Sequence, residues 1–368
     1  MRKIGVIFAA LFMVSWMFSF FCMHAAGQDW TGNSHNAEQG DVEAGAADLS
    51  AEQKIPGQSD RLGISGNTNR SGESALAAAQ QESRNMFQSR RVILERYGIK
   101  TYLSVEDYLP GVVVCQASPE LGQEALKCQA VIARTYIYRQ MGEREEIQEE
   151  ELDLDYLGDR TAFDGAGLTV HQKEQLAESL ERCKLAAKET AGMVMKYEDR
   201  YILPLFHECS AGRTRTGEAD YPYLQSVESR WDEQKNKDRH SATLESETAF
   251  NLSDFAARIG KLNDSKAVDE ARLPSEIQVV KRDDAGYVLQ MKIGPGTYTG
   301  DEVQYALELP SACFTIDTKS QGQIIVRTKG RGHGYGLSQH GAEAMAEEGW
   351  SFEDILKYYY KNISLVTE

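Results

Sequence analysis

The chain has 368 residues, of which 41% are hydrophobic, so it can bury a substantial core and is not disordered throughout. Its formal net charge is −16 at pH 7, whereas binding to nucleic acid depends on clustered lysine and arginine. The charge balance therefore excludes nucleic acid as an expected partner.

The N-terminus carries an uncharged apolar stretch, Ile4–Met23, directly after Arg2-Lys3. A helix needs about 20 such residues to cross a hydrocarbon core. Basic residues before the stretch and acidic sequence after it predict a single-pass protein of the cell membrane, with a cytoplasmic N-terminus and an extracytoplasmic body. Cleavage as a signal peptide near Ala26 is the alternative, although Met23 fits poorly three residues before such a cut. We predict a membrane anchor over residues 1–26.

Residues 27–89 are rich in Gly, Ala, Ser, Asn and Gln and contain almost no aromatic side chains. Such a segment cannot bury enough apolar surface to offset its chain entropy. We therefore predict a disordered polar tether here and a folded domain over residues 90–368. The domain is expected to have two lobes with a boundary near residues 240–250.

The strongest helix signal in the chain covers Glu124–Met141. Its apolar stripe has spacings of four, three, four and four residues: Leu126, Ala130, Ala133, Ile137 and Met141. A second face is mostly uncharged and consists of Glu124, Cys128, Val131 and Thr135. The carboxyl group of Glu124 should therefore be partly desolvated. Ser118-Pro119 predicts the cap and first turn, while Gly122 leaves the start open by one turn.

Shorter elements follow in chain order. A helix over 171–191 is expected to end at Gly192, and a β-hairpin should span 193–207 around a turn at Glu198-Asp199. The remaining predicted elements are strands near 276–282, 286–293, 312–317 and 323–328, and helices over 251–260, 337–348 and 352–360, the last capped by Ser351. Together these predict an α+β fold, a two-lobed ectodomain of mixed helices and antiparallel sheet that forms a groove behind a transmembrane helix.

A glycine-histidine loop, Gly330–Ala342, reads G-R-G-H-G-Y-G-L-S-Q-H-G-A. Glycine at every second position from 330 to 336 permits positive φ and close approach of another chain or ligand. The loop lacks both the G-K-[ST] of a phosphate loop and the G-x-S-x-G of a serine hydrolase, which argues against these functions. The cysteine and histidine spacings fit no zinc template, so neither a metal nor another cofactor is expected.

Five segments together carry a family resemblance. Glu124–Tyr136 reads E-A-L-K-C-Q-A-V-I-A-R-T-Y and resembles the signature helix of the SpoIID/LytB family of stage II sporulation and amidase-enhancer proteins, usually written E-A-L-K-A-Q-A-x-A-A-R-T-Y. The other four segments look like further motifs of the family and occur in the family's order: 103–113, 206–214, 221–231 and 330–346. The resemblance thus covers about residues 100–365.

The resemblance implies a membrane-anchored lytic transglycosylase that cuts peptide-stripped peptidoglycan strands during engulfment in sporulation, at the septal or forespore-engulfing membrane. A cell-wall amidase and other engulfment membrane proteins are the implied partners. One glutamate suffices for the lytic transglycosylase reaction. It donates a proton to the glycosidic oxygen and then accepts one from the muramic C6 hydroxyl, which leaves a 1,6-anhydro end. Glu124 is the first candidate. The alternative is a catalytically inactive glycan-binding or amidase-activating protein.

One position departs from the family pattern. The family commonly has V-V-x-x-E-M-P before the signature helix, and ungapped alignment from Glu124 places Gln116 at that glutamate. If that glutamate is the family's acid, Gln116 cannot donate and re-accept a proton, and the chain is inactive or uses Glu120 or Glu124. The predicted substrate-binding residues include arginines for muramic carboxylates and side chains that line the groove: Arg134, Tyr136, His207, Arg213, Arg331, His333, Ser338 and Gln339.

Overall fold

The computed structural model describes residues 90–158, 168–233, 245–263, 268–317 and 322–368. The predicted anchor and tether lie outside these ranges. Within them, no helix combines the length and the apolar character that a membrane crossing requires.

The described residues form a mixed α+β fold, as predicted. Seven α-helices are present in them: α1 (Val105–Gln116), α2 (Gln123–Met141), α3 (Val170–Glu189), α4 (Leu252–Gly260), α5 (Gly300–Leu307), α6 (Gln339–Glu347) and α7 (Phe352–Tyr359). Short 3₁₀ helices cover Glu149–Glu151, Arg230–Glu233 and Leu273–Ser275. The strands are β1 (Arg91–Arg96), β2 (Ile99–Ser104), β3 (Glu146–Gln148), β4 (Met193–Tyr197), β5 (Arg200–Tyr201), β6 (Phe206–His207), β7 (Glu245–Asn251), β8 (Ile277–Arg282), β9 (Val288–Ile293), β10 (Gly296–Tyr298), β11 (Phe314–Asp317), β12 (Gln323–Lys329), β13 (Leu337–Ser338) and β14 (Ser364–Thr367).

The strands form small sheets of two or three members, in the orders β2-β1-β3, β10-β9-β8, β11-β12-β7, β13-β6 and β14-β4-β5. Pairing is antiparallel except for β1 with β3 and β6 with β13, which are parallel. The four strands predicted between residues 276 and 328 are confirmed within two residues at each end.

Helix α2 lies at the centre of the first hydrophobic core, between α1, α3, α6, α7 and β4. Its predicted apolar stripe is buried, and so are Cys128, Val131 and Thr135 of its second face, which is why a helix with so little amphipathic contrast is stable here. The helix begins at Gln123, so the cap predicted at Ser118-Pro119 is wrong. Gly122 takes the cap position with extended backbone, and its N–H donates to Glu343 Oε2 at 2.5 Å.

A second, separate core lies in the segment between residues 245 and 329. It packs α4 and α5 against β7, β9 and β12 through residues such as Phe255, Val288 and Val326. After residue 329 the chain returns to the first core, where Leu337 and Ile355 are fully buried. The second core is therefore an insertion within the chain that forms the first, and its residues 245–329 are called the inserted lobe below.

Two predicted elements differ from the structure. Strand β4 pairs with β5 only through Lys196 and Tyr197, and Phe206-His207 pairs with β13 instead, so the hairpin over 193–207 is short. Pro204, just before β6, has no N–H to continue a ladder. Helix α6 begins at Gln339 because the two residues before it form β13.

Candidate functional site

The glycine-histidine loop lies directly on the segment that follows β6. The Cys209 and Arg331 backbones exchange two hydrogen bonds of 2.8 and 3.2 Å, and β13 runs parallel to β6. Gly332 has φ +94°, and a Cβ there would lie 2.8 Å from the His207 Cβ. Positive φ at Gly332 is therefore confirmed, and the group that approaches it closely is the β6 segment of the same chain.

The two histidines of this region form a buried pair. The ring centroids of His207 and His333 are 5.8 Å apart, and the two residues are 2% and 8% exposed. His207 Nδ1 donates to the Tyr335 carbonyl at 3.1 Å, which leaves its Nε2 buried without a partner, and His333 Nδ1 accepts from the Tyr335 N–H at 3.0 Å. Burial lowers the pKa of His207 to about 4. Burial and the neighbouring His207 and Arg215 lower the pKa of His333 to about 3, so both rings are neutral near pH 7.

A buried carboxylate joins three of the motif segments. Asp232 accepts from Ser210 Oγ at 2.5 Å, from the Ser210 N–H at 2.9 Å and from Ser338 Oγ at 2.7 Å. Burial raises its pKa, and the hydrogen bonds from Ser210, Ser338 and Ser229 oppose that shift. Ser338 also caps α6 by accepting from the Gly341 N–H at 3.1 Å. Ser338 is therefore engaged inside the protein, and Asp232, which the sequence analysis missed, organises this region.

A small hollow lies between α2 and the chain around β6, with free space of about 10 Å³, roughly that of one water molecule. Its lining is mainly apolar and aromatic: Gln116, Ile132, Ala133, Tyr136, Leu154, Pro204 and Phe206. The Gln116 Oε1 atom is buried without a partner, and its backbone carbonyl accepts from Gln339 Nε2 at 2.8 Å. Two of the predicted site residues, Gln116 and Tyr136, therefore line this hollow, and a third, Gln339, holds the backbone of Gln116.

The two candidate glutamates are absent from the lining. Glu124 Oε1 pairs with Lys127 Nζ at 2.6 Å, and its Oε2 accepts from the Phe352 N–H at 2.8 Å. Glu124 thus connects the first turns of α2 and α7 and faces a cation, instead of the uncharged surroundings that its helix face predicts. Glu120 is exposed in the turn between α1 and α2.

The predicted arginines have different surroundings. Arg134 is fully buried and donates to both Glu106 oxygens at 2.7 Å and to two backbone carbonyls, so its guanidinium is engaged inside the protein. Arg213 pairs with Glu228 at 3.0 Å on the surface, and Arg331 lies 3.8 Å from Glu208. The burial of His207, His333 and Ser338 likewise gives them supporting positions behind the surface.

No metal centre is evident in the described part of the chain, where no group of three or more His, Cys, Asp and Glu side chains could hold an ion. Five cysteines belong to that part, and all five are free: Cys115, Cys128, Cys183, Cys209 and Cys313.

Comparison with known proteins gives a consistent picture. Residues 95–197, which include α1 to α3, match the family profile described as "SpoIID: Stage II sporulation protein". Stage II sporulation protein D of Bacillus amyloliquefaciens is 32% identical over 275 residues, which cover 72% of this chain and 74% of that protein. The protein of the same name from Bacillus subtilis (strain 168) is also 32% identical, with the same coverage. The "Amidase enhancer" of Bacillus subtilis (strain 168) is 23% identical over 70% of this chain and 40% of its own length.

Proposed function

The chain belongs to the stage II sporulation protein D family, and from this premise we propose that it binds peptidoglycan glycan strands at the Gln116 hollow without cutting them. The single observation that carries the proposal is the identity of residue 116. Gln116 lines the hollow at the place where the family pattern has a glutamate, so the chain has an amide there instead of a carboxyl group.

The hollow is too small to admit a sugar ring, so the proposed contact is with its rim, where Gln116, Tyr136 and Phe206 are partly exposed. Tyr136 and Phe206 offer aromatic surface for the apolar face of a pyranose ring, and Gln116 offers an amide that can bind hydroxyls. Ligand sites commonly combine a mostly apolar wall with a few polar groups that fix orientation. The backbone of Gln116 is itself held by Gln339, so its position is fixed before any ligand arrives.

Cleavage by the lytic transglycosylase mechanism needs a carboxyl group at the glycosidic oxygen, because the same group must donate and re-accept a proton. No Asp or Glu belongs to the lining of the hollow. Glu124 does not line the hollow, and its two oxygens are engaged by Lys127 and by the Phe352 backbone N–H. These contacts support a binding role over a hydrolytic or transglycosylase role.

The proposed place of action is the extracytoplasmic side of the membrane during sporulation, with the predicted stretch Ile4–Met23 as anchor. The proposed partner is a cell-wall amidase, which the chain would supply with glycan strands. The similarity to a protein named amidase enhancer supports this partner, and the engulfment setting and other engulfment proteins are proposed on the family relationship alone.

The test uses the full-length protein in detergent with purified peptide-free glycan strands. Co-sedimentation should show binding, and mass spectrometry should find no 1,6-anhydromuramyl ends even at high protein load. Tyr136→Ala should reduce binding by about ten-fold, the loss expected for a stacking aromatic at a ligand site. Tyr305→Ala, which removes an exposed tyrosine from the inserted lobe, is the matched control.

A gain-of-function variant sharpens the test. Gln116→Glu restores a carboxyl group in a partly buried hollow, where desolvation raises a carboxyl pKa, so slow formation of anhydro ends is expected. Anhydro ends made by the wild-type chain and lost in Glu124→Gln would refute the proposal and assign the lytic transglycosylase reaction to Glu124.

A further inference from the structure

The hairpin formed by β1 and β2 presents a cluster of apolar side chains to solvent. Seven large hydrophobic residues of the described ranges are exposed, and three of them lie within six positions on this hairpin: Tyr97, Ile99 and Tyr102. Tyr97 is 104% exposed, so its side chain packs against nothing in the domain. The other four are scattered along the chain, and single exposed hydrophobic residues are normal. The exposed apolar surface of the described residues is therefore concentrated at this hairpin.

The turn at the tip contains a residue that its backbone conformation disfavours. Arg96 pairs with Ile99, so Tyr97 and Gly98 alone form the loop, and both have positive φ, +54° and +77°. In such a loop the first residue is usually Asn, Asp or Gly, because bulky side chains are disfavoured at positive φ. An exposed tyrosine forgoes this preference and gains no packing within the domain, which points to a contact outside it.

The hairpin is also the first part of the domain after the predicted membrane anchor. β1 begins at Arg91, and the Arg90 carbonyl accepts from the Val105 N–H at 3.0 Å, which joins the start of the domain to the end of the hairpin. The predicted tether before it, residues 27–89, has 63 residues. A polar linker of that length has an average span of about 45 Å. The membrane surface is thereby kept at a high effective concentration, so that a weak contact suffices.

The size of the patch favours a lipid surface over a protein partner. A whole aromatic side chain offers roughly 150–250 Å², so the three exposed side chains offer roughly a few hundred Å². A stable protein complex takes about 800 Å² from each partner. Tyrosine is enriched at the boundary between lipid headgroups and acyl chains, because its ring is apolar while its hydroxyl group stays hydrated. A tip that carries tyrosine and isoleucine can enter this boundary without a partner of matching shape.

The charges beside the tip are balanced. Arg96 pairs with Glu149, and Lys100 Nζ lies 3.7 Å from Glu95 Oε2. These four side chains carry no net charge together, so anionic lipid is not needed to attract the hairpin. Removal of apolar surface from water is the interaction that the tip offers to a membrane.

We propose that the tip of the β1–β2 hairpin docks into the headgroup–acyl boundary of the membrane through Tyr97 and Ile99, with Tyr102 at the edge of the contact. The inference rests on the membrane anchorage that is part of the proposed function, and it is independent of glycan binding. A domain held only by its tether takes every orientation. Docking places the β1–β2 end of the domain against the bilayer.

Amide hydrogen exchange of the full-length protein tests the contact. The protein is held in nanodiscs of phosphatidylcholine, in nanodiscs that also contain phosphatidylglycerol, or in an amphipathic polymer that keeps the anchor soluble without a lipid surface. Peptides covering residues 96–102 should exchange about five-fold more slowly in both nanodiscs than in the polymer, the change expected when about half of an isoleucine side chain leaves water. Peptides covering β8 and β9 should exchange equally in all three.

Tyr97→Asn separates docking from folding, because the two roles predict opposite effects. Asparagine tolerates positive φ better than tyrosine, so the variant should be at least as stable in urea unfolding while the slower exchange in nanodiscs is lost. Ile99→Thr keeps a β-branched residue in β2 and should also reduce the difference. The matched control, Tyr305→Asn, changes an exposed tyrosine of α5 and should leave the difference unchanged.

Equal exchange in nanodiscs and polymer, or a difference that survives Tyr97→Asn combined with Ile99→Thr, overturns the proposal. Slower exchange only with phosphatidylglycerol also overturns it, because the contact then depends on charge. Slow exchange in all three media that increases with protein concentration assigns the hairpin to contact with a second copy of the chain instead.

Two outcomes distinguish this inference from the proposed function. If the protein is not retained by nanodiscs, the proposed anchor fails, and exchange of the soluble chain with and without phosphatidylcholine vesicles still tests the hairpin. If the hairpin is protected in nanodiscs while glycan strands do not co-sediment, docking stands and the proposed glycan binding fails.

Discussion

Replacing Arg215 with methionine should strongly destabilise the protein, because this side chain joins the inserted lobe to the glycine-histidine loop. Arg215 is 2% exposed and donates to Asp283 Oδ2 at 3.0 Å and to Asp301 Oδ1 at 2.8 Å, both in the inserted lobe. It also donates to the His333 carbonyl at 3.3 Å. Its guanidinium lies 4.5 Å from the centroid of the Tyr335 ring.

The size of the loss in unfolding free energy depends on the two carboxylates that the substitution leaves without their partner. Methionine nearly preserves the apolar volume, so the loss is mainly electrostatic. Removing one partner of a buried ion pair costs about 3–5 kcal/mol, because the other charge stays desolvated. Asp283 and Asp301 are 19% and 25% exposed and can partly rehydrate, so we expect the lower end of that range, about 3 kcal/mol.

Urea unfolding followed by fluorescence measures the loss of unfolding free energy. Calorimetry of thermal unfolding checks it on the same protein preparation. Arg258→Met is the matched control: its guanidinium pairs with Asp254 and Glu308 at the surface of the same lobe, so its loss should stay below about 1 kcal/mol. An Arg215→Met free-energy change no larger than that of Arg258→Met would refute this account of the contact between lobe and loop.

Three further outcomes follow from the contacts. Arg134→Met should cost about 3–5 kcal/mol in urea unfolding, because it leaves Glu106 unpaired, while glycan co-sedimentation by the folded fraction stays unchanged; a selective loss of co-sedimentation would restore a ligand role for Arg134. Folding favours the neutral forms of His207 and His333, because it lowers their pKa values from 6.5 to about 4 and about 3. The stability that the two neutral rings contribute is therefore full above about pH 6.5 and is lost as the pH falls towards 4. His207→Leu should reduce the slope of unfolding free energy against pH in that window, and an unchanged slope would contradict the assignment. Gly336→Ala should lower the free energy of unfolding by about 2 kcal/mol or more, because φ is +69° and a Cβ would overlap the Leu205 carbonyl oxygen. Gly349→Ala, with φ +91° and open space around the Cβ, should lower it by about 1 kcal/mol. Equal losses would mean that backbone conformation alone sets the cost.

Local pattern was sufficient for the elements whose partners lie close in sequence or whose spacing is regular. The apolar spacing of α2 predicted its C-terminal end at Met141, and Ser351 caps α7 as expected, by accepting from the Asp354 N–H at 3.2 Å. Helix α1 gave no comparable signal, because Pro110 lies inside it. The next residue, Gly111, lets the chain at Tyr156 approach α1 closely.

The sequence by itself determined the family, the α+β class and the segments that would meet, because the motifs of this family are carried by contiguous residues. Only the tertiary structure decided what each side chain does. Glu124 is occupied by a backbone N–H 228 positions away, and Arg134 by Glu106, 28 positions away. Gln116 lines a hollow and is held by Gln339, 223 positions away. Hydrogen bonds and ion pairs depend on distances of about 3 Å between groups that chain order does not bring together. For that reason the sequence alone could not predict that Glu124 contacts α7 or that Gln116 lines a hollow.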